Sequence, residues 1–226
     1  MDNLVIPAVV IPGFVSVLLF LVFTYLYEQS RQAYFRAWQM AWAAYSLHYV
    51  LDAFSFYRAS PPAFLASSLF LVVMALCIFV STRLMRGPYR FRWYDAALGA
   101  AGVVLVGISF RGHIIGGVFV PDAQPTIRLG VGLGLVLLYC SAVFYLNGHR
   151  RGSLAFKVLG LALALWAALM GMGQLHSPWG ETLGSASRLL GPVPQMLLGI
   201  AMVMVLFENQ RNSAAGKYAC PVDAGS

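Results

Sequence analysis

Charged side chains are scarce in this sequence. Asp, Glu, Lys and Arg make up only 10% of its 226 residues, whereas 60% are hydrophobic and the mean hydropathy is +0.75. A soluble domain of this length cannot bury so much apolar surface, because its exterior needs far more charge. The composition therefore excludes a soluble fold. It predicts an all-α, polytopic bundle of transmembrane helices that has the lipid bilayer as a partner.

Cysteines and catalytic motifs are equally sparse. The three cysteines, Cys77, Cys140 and Cys220, have no metal-ligand spacing, and none lies in a predicted outward loop. Neither a metal site nor a disulfide framework is therefore indicated. The chain also contains no Gly-x-Ser-x-Gly elbow and no His-Glu-x-x-His motif. We expect no enzymatic activity, no metal and no cofactor.

Acidic residues are few, which leaves an excess of basic charge. The 8 Asp and Glu residues are outnumbered by 15 Lys and Arg residues, so the net charge is +7. In a nucleic-acid-binding protein these basic residues would cluster on one module or helix face, but here they flank apolar stretches. We therefore expect no nucleic-acid partner, and contact with anionic lipid headgroups instead.

Seven apolar stretches are candidate transmembrane helices, since a span needs roughly 20 predominantly apolar residues. The fourth is the weakest because its purely apolar part is short. Residues 1–207 form the predicted transmembrane domain, and 208–226 form a short cytoplasmic tail that is predicted to be disordered. The predicted spans are 5–27, 37–57, 63–81, 95–110, 127–146, 158–172 and 189–207.

Basic residues fall mainly in alternate gaps between these spans. Eleven of the fifteen lie in the gaps on one side and four in the gaps on the other. Short loops rich in Lys and Arg stay in the cytoplasm, so the bias predicts an inner (plasma) membrane protein with its N-terminus outside and its C-terminus cytoplasmic. The cytoplasmic set is Arg31, Arg36, Arg83, Arg86, Arg90, Arg92, Arg150, Arg151, Lys157, Arg211 and Lys217, and the outer set is Arg58, Arg111, Arg128 and Arg188.

Polar side chains recur at helical spacing in the second span, where Tyr45, His48 and Asp52 share one face. Ionisable groups inside a span are costly and usually mark a functional site that faces the bundle interior. We therefore predict an outward-opening pocket for a small-molecule ligand. The alternative is structural: Asp52 pairs near the interface and His48 hydrogen-bonds across helices. The predicted pocket consists of Tyr45, His48, Asp52, Arg128, Gln174, His176 and Gln195.

Glycines in the fifth span predict close helix contact. Gly130 and Gly134 form a Gly-x-x-x-Gly pair, which lets another helix backbone approach. Packing within the bundle is the first interpretation, and a homodimer is the second.

Two segments resemble a known type of membrane region. The first hairpin contains Tyr25-Leu26-Tyr27, Arg31, Tyr34-Phe35-Arg36-Ala37-Trp38, Ala41-Trp42 and Tyr45, and the last span contains Pro194-Gln195, Gly199 and Met202 to Arg211. Both resemble the multi-helix, seven-span sensor regions that precede bacterial histidine kinases and diguanylate cyclases. The resemblance implies a sensory module, with Glu208 and Arg211 at the exit for the signal. No output domain follows Arg211 in this chain, so we expect it to be missing or supplied by a cytoplasmic kinase or cyclase partner.

Signal input is therefore the first functional hypothesis. Such a module would sense a small ligand or the state of the membrane from the outer side and relay it through the seventh helix. A small seven-helix transporter with an outward-facing polar pocket is the alternative, suggested by the Pro194-Gln195 dipeptide in the last span.

Reporter fusions test the membrane orientation that the charge bias predicts. Alkaline phosphatase fused after Ser226 should be inactive, because the tail is predicted to stay in the cytoplasm, and green fluorescent protein fused there should fluoresce. Phosphatase fused after Ser60, in a predicted outward gap, serves as the active control. An active phosphatase at Ser226 would reverse the predicted orientation.

Overall fold

Seven α-helices and one β-hairpin make up the part of the chain that the structure describes. This computed structural model describes residues 2–58, 60–85, 92–109, 112–115, 118–121, 123–172 and 190–218. The helices are α1 Asp2–Ser30, α2 Ala33–Arg58, α3 Pro61–Leu84, α4 Trp93–Ser109, α5 Ala123–Arg151, α6 Leu154–Met172 and α7 Pro192–Tyr218, and the strands are β1 Gly112–Ile115 and β2 Val118–Pro121.

Two very short connections fold neighbouring helices back on each other. Arg31, between α1 and α2, has a φ of 54°, and Gly152, between α5 and α6, has a φ of 66°. Both values lie in the left-handed region, which reverses the chain after a helix and which glycine adopts without steric cost. The helix pairs α1–α2 and α5–α6 are thus antiparallel hairpins.

The helices close into a ring. Each of α1, α2 and α3 packs against the next, α3 packs against α5, α5 against α6, α6 against α7, and α7 returns to α1. Helix α4 packs against α3 and α5, which also contact each other. One large apolar core fills the ring, and a smaller one joins α3, α4 and α5 through Val72, Ala75, Val106, Leu129 and Leu133.

Five of the described helices are long and apolar enough to cross a membrane: α1, α3, α5, α6 and α7. This agrees with the predicted helical, multi-pass membrane protein. Helix α2 has 26 residues but a more polar composition, and the apolar segment Asp95–Ile108 of α4 is shorter than a full span. Passage of all seven helices through the membrane stays a prediction.

Basic side chains gather at one end of the bundle. Arg31, Arg36, Arg83, Arg92 and Arg151 lie at or near the helix ends that meet there, and we call this the arginine-rich end. It comprises the end of α1, the start of α2, the end of α3, the start of α4, the end of α5, the start of α6 and the end of α7. This is the end that the charge bias assigns to the cytoplasm.

An ion pair fixes α4 to α3 at the arginine-rich end. Arg83 donates a 2.9 Å hydrogen bond to Asp95, whose carboxylate also accepts a 2.8 Å bond from the backbone nitrogen of Arg92. Asp95 is buried, so this carboxylate needs both partners. An acidic residue in the first turn also complements the helix dipole.

Two regions differ from the sequence predictions. The gap between the fourth and fifth predicted spans, for which no regular structure was predicted, contains the antiparallel β1–β2 hairpin, with Gly112 opposite Pro121. Helix α7 continues to Tyr218, so residues 208–218 are helical where disorder was predicted. Extending an existing helix avoids the cost of nucleation, and Gln, Arg and Ala favour the helix. Residues 219–226 lie outside the described part.

Glycines allow α5 and α6 to approach closely. A Cβ added at Gly160 would lie 2.8 Å from the backbone nitrogen of Tyr145 and 2.9 Å from the carbonyl oxygen of Ser141. The Ser141 hydroxyl donates a 2.6 Å hydrogen bond to the Gly160 carbonyl oxygen. Farther along α5, Gly134 lies against α6, where its added Cβ would be 3.6 Å from the Ala167 carbonyl oxygen. Gly134 thus faces α6 within the bundle, but 3.6 Å is an ordinary van der Waals distance that does not require glycine.

Replacing Gly160 should therefore weaken the α5–α6 contact. We expect Gly160→Ala to lower the free energy of unfolding by about 1–3 kcal/mol, the usual cost of overpacking, and to lower Tm in detergent. Gly171→Ala is the matched control in the same helix, because its Cβ would meet no atom of the described residues within 4 Å. Equal Tm values for the two variants would contradict the close approach.

Candidate functional site

One face of α2 carries large aromatic side chains into the centre of the bundle. Trp38 stacks on Phe23 of α1, with ring centroids 5.5 Å apart, and contacts Phe144 of α5 at 6.4 Å. Trp42 stacks on Trp166 of α6 at 5.7 Å with an interplanar angle of 7°. Trp38 and Trp42 lie four residues apart, so they share one face of α2, and this face forms an interface with α1, α5 and α6.

The next turn of this face is polar and joins α2 to α7. The Gln195 side-chain amide donates a 3.2 Å hydrogen bond to the Tyr45 hydroxyl, which lies 3.0 Å from the Tyr49 hydroxyl. Tyr45 is 3% exposed and Gln195 is 1% exposed. Where water is excluded, such bonds hold two helices in a defined register, because the alternative is an unsatisfied polar group.

His48 joins the same face of α2 to α3. Its Nδ1 atom lies 2.7 Å from the Ser67 hydroxyl oxygen and 3.2 Å from the Ser67 carbonyl oxygen. The imidazole also stacks on Tyr45, with ring centroids 5.8 Å apart. Ser67 thus offers His48 a polar partner in either tautomer. The interhelical hydrogen bond that was the structural alternative for His48 is present.

These five side chains form one polar cluster between three helices. We call Tyr45, His48, Tyr49, Ser67 and Gln195 the Tyr45 cluster. One oxygen of Gln195 is buried and has no hydrogen-bond partner among the described residues. The same is true of the indole nitrogens of Trp38 and Trp42 on the adjoining aromatic face. Buried polar atoms are normally paired, so a ligand that formed hydrogen bonds with these atoms would stabilise the fold.

The structure describes only some of the remaining residues of the predicted pocket. Asp52 lies one helical turn after His48 on α2, so it adjoins the Tyr45 cluster. Arg128 belongs to α5, but the position of its side chain is outside what the structure describes. Gln174 and His176 lie outside the described residues altogether. The structure thus brings together Tyr45, His48 and Gln195 of the predicted set, with Asp52 next to them.

The predicted exit residues lie on α7 at the arginine-rich end. The Glu208 carboxylate accepts hydrogen bonds from the Ser153 hydroxyl and from the backbone nitrogen of Ala155, the latter at 3.3 Å. It therefore caps the start of α6, where a negative charge is favoured. Asn209 donates a 3.0 Å bond to the Tyr34 hydroxyl of α2. Arg211 is exposed.

Several partners in these contacts were not predicted from the sequence. Ser67 binds His48, Trp166 covers Trp42 and Tyr45, and Ser153 binds Glu208. Ser67 and Ser153 offered little signal, since isolated serines are common in and beside membrane helices. Trp166 could have been found, because it is the only tryptophan among the apolar residues of α6. Its pairing with Trp42 depends on tertiary packing.

The fold and the Tyr45 cluster define a class: a helical, multi-pass membrane protein with a buried polar cluster beside its apolar core. Among the described residues, no three His, Cys, Asp or Glu side chains are grouped closely enough to hold a metal ion. No protein-family model matches this sequence, and neither a curated protein nor a solved structure matches it.

The Tyr45–Gln195 hydrogen bond can be measured with a double-mutant cycle. Tyr45→Phe and Gln195→Leu should couple by about 0.6 kcal/mol, and at most by about 1.7 kcal/mol, the range found for hydrogen bonds between membrane helices. The free energy of unfolding in mixed micelles gives the coupling. Tyr25→Phe, an exposed residue of α1, should show no coupling with Gln195→Leu. A coupling of zero between Tyr45 and Gln195 would contradict the contact.

Proposed function

We propose that this protein is a membrane-embedded signal-input module. It senses a small ligand or the state of the membrane from the outer side and relays the change through α7 to a cytoplasmic partner, a kinase or a cyclase. The proposal includes the orientation that the charge bias predicts, with the N-terminus outside and the arginine-rich end in the cytoplasm. The resemblance of the first hairpin and the last span to bacterial sensor regions supports the same function.

The observation that carries the proposal is that α7 makes polar contacts at two separate levels of the bundle. Gln195 binds Tyr45 in the first turn of α7, and Glu208 binds the start of α6 near the arginine-rich end. These two residues are thirteen positions apart, which is about 20 Å along a helix axis. A rotation or shift of α7 caused at one contact would therefore act on the other.

The chemistry of the ligand is inferred from two buried polar atoms that have no partner among the described residues. The side-chain oxygen of Gln195 can accept a hydrogen bond, and the indole nitrogen of Trp42 can donate one. The surrounding surface is aromatic. A small, mostly apolar molecule with one donor and one acceptor fits this chemistry. It would act only if it binds one arrangement of α7 better than another.

Reporter output from a chimera tests the proposal. The chain through Tyr218, joined to a diguanylate cyclase domain, should give a basal cyclase activity that Gln195→Leu and Glu208→Ala each change by about fivefold or more, the lower end of typical allosteric coupling. Each change removes one of the two polar contacts of α7. Exposed neighbours on the same helix provide the controls, Met196→Leu and Gln210→Ala, and these should leave the activity unchanged.

The outcome separates signalling from transport. Cyclase activity that ignores Gln195→Leu and Glu208→Ala would overturn the signalling proposal. Uptake of small solutes into proteoliposomes that is abolished by Asp52→Asn would favour a transporter instead.

A further inference from the structure

A second site opens at the arginine-rich end, away from the Tyr45 cluster. It is a cavity of about 460 Å³ between α2, the end of α3, the end of α5, the start of α6 and α7. This volume lies within the roughly 300–1,000 Å³ of sites that bind small molecules. Its polar lining residues are Gln32, Tyr34, Arg151 and Asn209, and its apolar ones are Leu84, Met85 and Phe156.

The described lining of the cavity carries a positive charge. None of its seven described residues is acidic, and Arg151 contributes a guanidinium. The Arg151 side chain lies over the Phe156 ring, 5.8 Å from its centroid, which holds the cation against one wall. The nearest carboxylate in sequence to the lining residues is Glu208, and it is engaged by Ser153 and the start of α6. An anion would therefore meet a positioned cation.

Two neutral side chains of the cavity, Tyr34 and Gln32, add one hydrogen-bond donor and one acceptor to the Arg151 guanidinium. The Tyr34 hydroxyl accepts a hydrogen bond from Asn209, which leaves its own proton to be donated. The Gln32 side-chain oxygen is buried and has no partner among the described residues. An anion would bind Arg151 and Tyr34, whereas Gln32 requires a donor such as a hydroxyl group.

We propose that this cavity binds a phosphate ester that also carries a hydroxyl group. Arg151 recognises the phosphate, for which guanidinium is well suited, and Gln32 accepts a hydrogen bond from the hydroxyl. The proposal stands independently of the signalling function. Such a group has two sources: the headgroup of an anionic lipid such as phosphatidylglycerol, or a free phosphate ester such as glycerol 3-phosphate.

Binding to the purified, full-length protein in a neutral detergent tests the proposal. The probes are short-chain phosphatidylglycerol, glycerol 3-phosphate and, as a phosphate ester without a free hydroxyl, short-chain phosphatidylcholine. Arg151→Gln should weaken binding of the first or second probe about tenfold, because it removes a charge-assisted hydrogen bond. Arg150→Gln is the matched control: it removes the same charge from the same turn, but Arg150 does not line the cavity.

Gln32→Leu provides a second, independent variant. It should weaken binding of phosphatidylglycerol or glycerol 3-phosphate and leave the weak binding of phosphatidylcholine unchanged, since it removes only the acceptor. It keeps the proposal testable if Arg151→Gln fails to fold.

The probes distinguish the two sources of the phosphate ester, and the variants test whether the cavity binds it. Tight binding of phosphatidylglycerol alone supports a lipid headgroup, and tight binding of glycerol 3-phosphate supports a soluble ester. Equal losses in Arg151→Gln and Arg150→Gln would mean that the end attracts anions only through its overall charge, and this would overturn the proposal. Failure of both hydroxyl-bearing probes to bind better than phosphatidylcholine would overturn it as well.

Discussion

The inward-facing aromatic side of α2 is the contact on which the rest of the bundle depends. Trp38 and Trp42 are almost completely buried, and they stack on Phe23 of α1 and Trp166 of α6. Aromatic side chains bury more area than any others, and their offset stacking adds to the gain from burial. The ring of helices therefore closes over this aromatic face of α2. This also explains why α2 is less apolar than its neighbours: much of its surface faces protein.

Polar groups in such a bundle must find partners inside it or lie at its ends. Apart from the Gln195 oxygen, the Tyr45 cluster satisfies the first condition through bonds between α2, α3 and α7, and Asp95 and Glu208 satisfy the second at the arginine-rich end. Helix α7 takes part in both sets of contacts. The polar contacts that position this helix are thus the same ones through which a signal could pass.

Much of the fold could be predicted because the membrane imposes a simple pattern on sequence. Long apolar stretches separated by basic or flexible gaps gave the helices, and the spacing of Tyr45 and His48 gave one face of α2. Secondary structure was harder to predict in segments whose conformation depends on the elements next to them. The β1–β2 hairpin forms from short segments without a strong pattern, and α7 runs on to Tyr218 because it extends a helix already formed.

The sequence by itself determined that the chain is a helical membrane protein and that its polar residues on α2 share one face, since hydropathy and helical spacing are local properties. Only the tertiary structure decided which side chains meet. Gln195 reaches Tyr45 across 150 positions, Glu208 reaches Ser153 across 55, and the lining of the cavity comes from five helices and their connections. Such contacts depend on how helices pack around a shared core, and no pattern within one helix specifies its partner.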